Sequence, residues 1–295
     1  MTSCAVIIPT RDRPEGLRRA VTSALKTAPP DASVIVVDDG GEIPAAQSLE
    51  TFADARLRIT RNPGPGGGGG SPARNHGVTQ TGADVLFFLD DDDQLLPDYV
   101  AMVLGALRGP AAGAGYGFAP RRFKEPPRNE TRPLTGLVTA RAPFDHRAFP
   151  FSAGFWIRRS LYDRIGPFAT DLQTNSDTEY VCRLQAVQAK GWCAPTPGTL
   201  IGTSPTSGAE LGHVTRRTKS DRRAEAFKAI INRYPQLVSG DSSTARFLWS
   251  RYIKHACRAG QPPRVADICR TVPPDLTRML LVVALWLRSA LGRWA

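Results

Sequence analysis

Short, wholly apolar runs alternate with amphipathic stretches along the first third of the chain. The runs at 5–8, 34–37 and 85–89 are apolar at every position, which is typical of strands buried on both faces. Between the first two runs, apolar residues recur at helical spacing, at Leu17, Ala20, Val21, Ala24 and Leu25. Strands and helices alternating at this rhythm predict an α/β fold built on a parallel sheet with right-handed crossovers.

Local signals predict where several helices begin. Asp12 is predicted to cap the first helix, with Pro14 in its first turn. Ser176 and Glu179 have the spacing of a capping box, which would place Asp177 at the first helical position. Towards the C-terminus, proline and glycine breaks separate four predicted helices, over 218–234, 243–259, 263–271 and 275–293.

Charge is distributed unevenly over the 295 residues, whose net charge is +11. Residues 1–110 carry 10 basic against 14 acidic side chains, whereas residues 210–295 carry 16 against 6. We therefore predict a main domain over 1–209 and a basic helical extension over 210–295. Such an extension is typical of a segment that meets an anionic membrane or a nucleic acid, and a solvated basic helix face is the alternative.

Neither secretion, membrane crossing nor disulfide bonding is expected from the sequence. No basic segment followed by a long apolar run opens the chain, so we expect no signal peptide. The longest apolar stretch, 279–287, is far shorter than the roughly 20 residues that span a bilayer. The five cysteines form no C-x-x-C pair, so we expect buried thiols in a reducing compartment.

Four consecutive aspartates, Asp90 to Asp93, directly follow the apolar run at 85–89. The carboxyl end of a parallel strand lies at the edge where α/β sheets bind ligands. Four adjacent carboxylates repel one another unless a cation or protons relieve them, and oxygen ligands suit Mg²⁺ or Mn²⁺. The alternative is an acidic lead-in to the helix predicted after Pro97, where negative charge is favourable.

Two further acidic positions are candidates for chemistry. Asp38 and Asp39 end the second apolar run, where a carboxylate can accept hydrogen bonds from a base or ribose; an ordinary turn before Gly40 is the alternative. Asp177 lies at the start of a predicted helix, which favours the ionised form that a general base needs. The alternative is that Asp177 only complements the helix dipole.

Taken in order, these motifs resemble family 2 glycosyltransferases over about residues 4–205. The segment VIIPTRDR at 6–13 is similar to the family's opening, and VVDDG at 36–40 to its second motif. The segment from Ala73 to Asp93 is similar to the third motif, which ends in the metal-binding D-x-D. Segments 157–168 and 176–177 resemble the acceptor half of the family.

The resemblance implies a GT-A fold, a Rossmann-like, mostly parallel sheet flanked by helices, here followed by a C-terminal helical extension. The nucleotide-sugar-binding half would cover 1–110 and the acceptor half 111–209. Within the first half, Pro9, Thr10 and Arg11 would line the pocket of the nucleotide base, and Asp39 would hydrogen-bond the base.

The resemblance also assigns roles to the acidic positions. Asp90, Asp91 and Asp92 would form the D-x-D, with Asp92 as the direct metal ligand, Asp90 in the metal shell, and Asp91 or Asp90 near the ribose. Arg74 would face the donor and neutralise the acidic cluster, or lie on a helix surface. Asp177 would be the catalytic base.

The activity implied is transfer of a sugar from a nucleotide-sugar, most often a UDP-sugar in this family, to an acceptor hydroxyl. The mechanism would be a single inverting displacement assisted by Mn²⁺ or Mg²⁺. The sequence departs from the family where Arg11 replaces an aromatic residue, Asp12 an asparagine and Ser176 a glutamate. The first two departures would alter stacking on the nucleotide base. The third leaves the catalytic base, Asp177, in place.

Three other classes of protein compete with this interpretation. A sugar nucleotidyltransferase would carry a glycine-rich loop after its first strand, where this chain has Pro-Thr-Arg-Asp-Arg. A basic nucleic-acid-binding protein would interleave aromatics with its basic patch or show a known motif, and neither is found. A catalytically inactive GT-A scaffold is disfavoured, because the aspartate cluster and Asp177 are both retained.

The predicted last helix carries an apolar stripe mixed with arginines, which would suit an anionic bilayer surface or, equally, packing on the domain or a dimer partner. Its apolar members are Leu276, Leu280, Val283, Ala284, Leu287 and Leu291. We expect a cytoplasmic protein, peripheral on the inner face of the cytoplasmic membrane through 275–294. Its acceptor would be a glycan or a lipid-linked glycan in polysaccharide or glycoconjugate synthesis, and no nucleic acid is expected.

Overall fold

The first part of the chain alternates strands and helices as its apolar pattern predicts. The structure is a computed structural model, and it describes residues 2–64, 68–123, 134–142, 144, 154–201 and 218–290. In chain order, the first elements are β1 (Cys4–Thr10), α1 (Pro14–Thr27), β2 (Ser33–Asp38), α2 (Ala45–Ser48), β3 (Leu57–Arg61), α3 (Gly70–Thr79), β4 (Val85–Phe88), β5 (Gln94–Leu95) and α4 (Tyr99–Ala106).

Shorter strands follow, and then helices only. The middle elements are β6 (Tyr116–Phe118), β7 (Arg121–Phe123), β8 (Gly136–Thr139), β9 (Trp156–Arg158), α5 (Arg159–Ile165), α6 (Ser176–Ala186), β10 (Lys190–Cys193) and β11 (Thr199–Ile201). The C-terminal helices are α7 (Ser220–Arg233), α8 (Pro235–Gly240), α9 (Ser242–Arg258), α10 (Val265–Thr271) and α11 (Leu276–Ala290).

The main sheet confirms the predicted α/β class. Its eight strands follow the order β3-β2-β1-β4-β9-β6-β10-β8, and the neighbours among β3, β2, β1 and β4 are all parallel. Strand β9 runs antiparallel between β4 and β6. The register sets Thr10 beside Asp38 and Ile7 beside Phe88, so the segments that follow β1, β2 and β4 leave the sheet at one edge.

Two apolar clusters cover the two faces of this sheet. One contains Val6, Val36 and Phe87, and the other contains Ile7 and Ile35. Alternation of side chains along each strand produces this division, which is why the strands read as unbroken apolar runs. Trp156 and Trp192 are both buried in the first of these clusters.

Helix α3 lies on this sheet at very short range. A Cβ atom on Gly77 would be 2.5 Å from Cγ2 of Ile7 and 3.0 Å from Cγ2 of Val37. Glycine therefore allows the helix to approach β1 and β2 closely. This approach brings the start of α3 towards the sheet edge where β1 and β2 end.

A third apolar cluster joins the C-terminal helices to the rest of the molecule. It combines Val181 and Cys182 of α6 with Phe227 and Ile230 of α7, and it extends to Leu285 of α11. The described part of the extension predicted for 210–295 consists of helices α7 to α11 and the short links between them. The predicted boundary between 209 and 210 lies outside the described residues.

Two predicted helix caps are wrong. Helix α1 begins at Pro14 after Arg13, without a side-chain cap, because Asp12 accepts a hydrogen bond from the Ile43 backbone N–H instead. Helix α6 begins at Ser176 after Asn175, which has a left-handed backbone with φ 62°, so Asp177 is the second helical residue. The side chain of Glu179 is buried and accepts hydrogen bonds from Arg183 and Tyr234, so it forms no capping box.

The five cysteines are all free, as expected. The expectation that all are buried is correct for Cys4, Cys182 and Cys193, whereas Cys257 is half-buried and Cys269 is exposed. Among the described residues, no helix combines the length and the apolar character needed to cross a membrane.

Candidate active site at the carboxyl edge of the sheet

The acidic turn, Asp90 to Asp93, follows β4 at the sheet edge and is held by β1 and α1. Thr10 donates its hydroxyl to Oδ2 of Asp91 over 2.9 Å, and Nη1 of Arg13 donates to Oδ1 of Asp91 over 2.8 Å. The Asp91 carboxylate is therefore engaged on both oxygens. Burial raises its pKa to about 6, against the opposing charge of Arg13.

Arg13 links two members of the acidic turn. The same Nη1 that contacts Asp91 lies 2.9 Å from Oδ2 of Asp92. Burial would lower the pKa of Arg13, but the carboxylates of Asp91 and Asp92 raise it overall, so the guanidinium stays charged. Arg13 was not predicted as a site residue from the sequence, although four adjacent carboxylates, three of them buried, indicate that a cation lies nearby.

Helix α1 packs closely against the acidic turn, and this brings Arg13 within reach of Asp91 and Asp92. A Cβ on Gly16 would lie 2.6 Å from the backbone oxygen of Asp91 and 3.7 Å from Cα of Asp92. Only a residue without a side chain fits this approach without displacing the turn.

Three carboxylates of the turn form a group that fits a divalent cation. Oxygens of Asp90, Asp92 and Asp93 all lie within 4.8 Å of one another. Carboxylate oxygens are hard donors of the kind that suit Mg²⁺ and Mn²⁺. Asp90 and Asp92 were predicted as metal ligands, and Asp93 is an additional member that the D-x-D spacing did not indicate.

Arg74 reaches the acidic turn from α3. Its Nη2 lies 2.5 Å from Oδ1 of Asp90, and its guanidinium carbon lies 6.0 Å from the ring centroid of Phe168. The neighbouring Asn75 fixes the helix here, because its amide donates to the Phe168 carbonyl over 2.9 Å and accepts from the Phe168 N–H over 2.8 Å. Arg74 therefore faces the carboxylates and not the solvent side of α3.

Asp177, at the start of α6, joins the same electrostatic environment. It is half-buried, and its Oδ1 accepts from the Thr178 N–H over 2.7 Å. Desolvation raises its pKa, and so does the charge of Asp90, whereas the Thr178 hydrogen bond and Arg74 oppose the rise. The structure thus brings Asp177 together with Arg74 and the acidic turn, which are 84 or more positions away in sequence.

A direct contact joins the N-terminal turns of α3 and α6. The hydroxyl of Ser71 donates to the hydroxyl of Ser176 over 2.8 Å. Ser71 precedes Arg74 on α3, and Ser176 precedes Asp177 on α6. This contact therefore holds the two helices that carry the predicted donor-facing arginine and the predicted base.

Asp39 lies beyond the end of β2 and is buried. Its Oδ1 accepts from the side-chain amide of Asn62 over 2.8 Å, and its Oδ2 accepts from the Gly69 N–H over 3.0 Å. Asp38 has a different role, because it accepts from the backbone N–H groups of Gly40 and Ala45 and so shapes the turn. Asn62 was not identified from the sequence.

The three residues predicted to line a base pocket have different environments. Pro9 is a buried strand residue paired with Val37, and Thr10 points its hydroxyl at Asp91. Arg11 is exposed, with its Nε 3.8 Å from Asp12. The structure places all three at the end of β1, and it gives only Thr10 a contact with the acidic turn.

Glu179, two residues after Asp177, is fully buried and holds α6 against α7. Its Oε1 accepts from Nε of Arg183 over 2.9 Å, from Tyr234 over 2.6 Å and from Arg233 over 3.3 Å. Its Oε2 has no hydrogen-bond partner within the described residues. The sequence indicated only a local cap here, because the partners in α7 are more than 50 positions away.

Comparison with known proteins identifies the family of the chain. The chain matches the family described as Glycosyl transferase family 2 over residues 5–166, which contain the sheet edge and the acidic turn. The match covers more than half of the chain, and the chain belongs to this family.

Two curated relatives are similar over part of their length. The succinoglycan biosynthesis protein ExoW of Rhizobium meliloti (strain 1021) is 39% identical over 104 residues, which are 34% of this chain and 32% of the relative. The validoxylamine A glucosyltransferase of Streptomyces hygroscopicus subsp. limoneus is 36% identical over 125 residues, 40% of this chain and 27% of the relative. The similarity thus spans about a third of either relative or less.

Solved structures share the fold at low identity. S. aureus TarS 1-349 in complex with UDP-GlcNAc has a TM-score of 0.69 and 14% identity, covering 97% of this chain and 89% of the other. The mannosyltransferase PcManGT from Pyrobaculum calidifontis in complex with GDP-Man and Mn²⁺ has a TM-score of 0.56 and 16% identity, covering 98% and 86%. These likenesses establish a GT-A-like fold.

Proposed function

We propose that the protein is a glycosyltransferase that moves a sugar from a nucleotide-sugar donor to an acceptor hydroxyl with inversion at the anomeric carbon. The observation that carries this proposal is the juxtaposition of Asp177 with the acidic turn through Arg74 and Asp90. A carboxylate whose pKa is raised stands beside a group of carboxylates that suits a divalent cation.

Asp177 is the catalytic base of this proposal. Its carboxylate takes the proton from the acceptor hydroxyl as that oxygen bonds to the anomeric carbon. The bond from that carbon to the diphosphate oxygen breaks, and the nucleoside diphosphate leaves with the electron pair. A raised pKa strengthens the base, because its ionised form then gains more on accepting a proton.

Asp90, Asp92 and Asp93 are the residues that would hold Mn²⁺ or Mg²⁺, with Asp92 as the predicted direct ligand. A divalent cation bound there would supply charge stabilisation for the leaving diphosphate. Arg13 keeps Asp92 in place through its 2.9 Å contact, and Arg74 sets the orientation of Asp90. Asp91 supports the turn through Thr10 and Arg13.

The donor is proposed to be a UDP-sugar, with its base near Pro9, Thr10, Arg11 and Asp39. Asp39 offers two buried carboxylate oxygens whose present partners, Asn62 and Gly69, leave acceptor capacity for the base. The fold neighbours that bind UDP-GlcNAc and GDP-Man support a nucleotide-sugar donor.

The acceptor is proposed to be a glycan or a lipid-linked glycan of polysaccharide or glycoconjugate synthesis, in keeping with the name of the succinoglycan relative. Residues 1–209 would form the catalytic domain and 210–295 its extension. The location expected from the sequence, cytoplasmic and peripheral on the membrane through 275–294, stays a prediction.

A panel of UDP-, GDP- and dTDP-sugars with glycan acceptors tests the activity directly. We expect Mn²⁺- or Mg²⁺-dependent release of the nucleoside diphosphate from one donor, and a product whose anomeric configuration, read by NMR, is opposite to that of the donor. Retained configuration would contradict the role of Asp177. If no donor is turned over while all donors fail to bind, the inactive scaffold would replace this proposal.

A further inference from the structure

Helix α11 has two apolar sides with different environments. Leu281 and Leu285 are buried in the third cluster, which includes Ile253 of α9. On the other side, six large apolar side chains are exposed, among them Leu276 at 63% and Trp286 at 66%. This exposed apolar face consists of Leu276, Met279, Leu280, Val283, Trp286 and Leu287.

The exposed apolar face is a continuous stripe. Its members are adjacent or three to four residues apart, so they form one ridge along about three turns of the helix. Elsewhere in the part of the chain that the structure describes, exposed large apolar residues stand singly, at Ile43, Ile59, Leu137, Val187 and Val265. Single exposed apolar residues are normal in proteins, whereas a contiguous stripe marks an interaction surface.

Cations gather where α11 meets α9. Arg288 is exposed and lies about 100° around the helix from Leu287 and about 20° from the buried Leu281, so it borders the side of α11 that contacts α9. Burial lowers the pKa of Lys254 on α9, and the nearby charges of Arg258, Arg251, Arg288 and Arg223 lower it further. These five side chains, from α7, α9 and α11, form the basic cluster.

We propose that the exposed apolar face of α11 docks on an anionic lipid bilayer, with the basic cluster turned to the lipid headgroups. An apolar ridge that contains a tryptophan and is flanked by cations is the chemistry of a helix lying in the membrane interface. Each cation near an anionic surface adds attraction.

A second copy of the chain is a poorer occupant of this face. In a two-fold symmetric contact the same patch meets itself, so the partner's patch would supply apolar surface but no acidic side chain for the basic cluster. The lipid surface supplies both the apolar interior and the negative charge that this side of α11 lacks.

Sedimentation of the full chain with vesicles tests the proposal without relying on transferase activity. We expect binding to vesicles of equal parts phosphatidylglycerol and phosphatidylcholine, and little binding to phosphatidylcholine alone. Replacing Leu280, Val283 and Trp286 together by serine should weaken binding by at least about tenfold, because three apolar side chains no longer enter the interface. These positions are exposed, so the thermal midpoint should stay close to that of the wild type.

A matched control replaces three exposed apolar residues elsewhere, Ile43, Ile59 and Leu137, by serine. This variant should bind vesicles as the wild type does.

The pair Lys254→Gln and Arg288→Gln should lose about fivefold in affinity per charge for anionic vesicles. Equal losses in the control and the α11 variant would overturn the proposal, as would wild-type protein that fails to sediment with anionic vesicles. A dimer in solution that the α11 serine variant dissociates, without vesicle binding, would assign the face to a second copy instead.

Discussion

The acidic turn after β4 and the start of α6 both hold buried carboxylates, but the two regions neutralise them differently. In the turn, arginines from other elements contact the carboxylates directly, Arg13 at Asp91 and Asp92 and Arg74 at Asp90. At α6, Glu179 is paired with Arg183 and Arg233, whereas no ion pair to Asp177 is found within the described residues.

Under the proposed function, this difference separates carboxylates that organise the site from the one that exchanges a proton. A carboxylate in direct contact with a guanidinium keeps its place, and Asp91, whose pKa burial raises to about 6, is still mostly ionised at neutral pH beside Arg13. Asp177 is half-buried, is influenced by Arg74 only from a distance, and has a raised pKa. Contact with an arginine, and not the residue type or the local sequence, thus distinguishes the proposed structural carboxylates from the proposed base.

The largest effect is expected for Asp177→Asn, which removes the proton acceptor and keeps the shape. Transfer should fall by roughly 10²- to 10⁴-fold, the usual contribution of a positioned general base. Donor binding should persist, because the acidic turn and its arginines are unchanged. Initial rates together with donor-induced thermal shifts measure the two effects separately.

The same variant tests the sign of the pKa shift. Because the pKa of Asp177 is raised in the folded protein, its contribution favours folding at low pH and is lost as the pH rises through the folded value. At neutral pH the ionised carboxylate therefore costs stability, and Asp177→Asn should unfold at the same temperature as the wild type or higher. Transfer within tenfold of the wild type, or a clearly lower melting temperature, would contradict the comparison.

A smaller but purely structural effect is expected at Glu179. Glu179→Ala leaves Arg183, Arg233 and Tyr234 without their shared acceptor and should lower the free energy of unfolding by about 3 kcal/mol, less if solvent reaches the partly exposed arginines. Urea denaturation measures the loss.

Glu179→Gln is the matched control, because it keeps an oxygen that can accept from Tyr234. We expect it to recover a large part of the lost stability. If neither variant changes the unfolding free energy, Glu179 does not hold α6 to the C-terminal helices.

A third substitution changes the acidic turn without touching a charge. Gly16→Ala would place a Cβ 2.6 Å from the Asp91 backbone oxygen, so α1 or the turn must shift, at a cost of about 1–3 kcal/mol. Mn²⁺ affinity should fall as well. Gly105→Ala in α4 is the control, because nothing lies within 4 Å of its Cβ, and it should be neutral or stabilising. Equal behaviour of the two variants would show that the close approach has no effect.

The sequence predicted most of the fold because burial and periodicity are local signals. The apolar runs became β1, β2 and β4, and their common direction brought the acidic positions to one edge. Family resemblance added the order of the motifs, and the family match agrees with it.

Tertiary contacts account for what the sequence did not predict. Arg13 lies 78 positions from Asp91, and Glu179 meets Tyr234 across 55 positions, so no local pattern records either pair. The predicted capping box at Ser176 was wrong for the same reason. Glu179, which would have completed it, instead accepts hydrogen bonds from Arg183, Arg233 and Tyr234. The two sides of α11 likewise depend on where α9 lies, which its own apolar residues do not specify.

Thermal stabilisation by nucleotides tests the central claim most directly, that the acidic turn and the neighbouring edge form a metal-assisted donor site. UDP, GDP, dTDP and CMP would each be added with and without Mn²⁺ to the wild type, to Asp92→Asn and to the exposed control Asp84→Asn. A ligand at about 100 times its Kd stabilises the folded state by about 2.7 kcal/mol. We predict that one nucleoside diphosphate raises the melting temperature only with Mn²⁺, that Asp84→Asn keeps this response, and that Asp92→Asn loses it. A response that is unchanged in Asp92→Asn, or absent for every nucleotide in the wild type, would contradict the account.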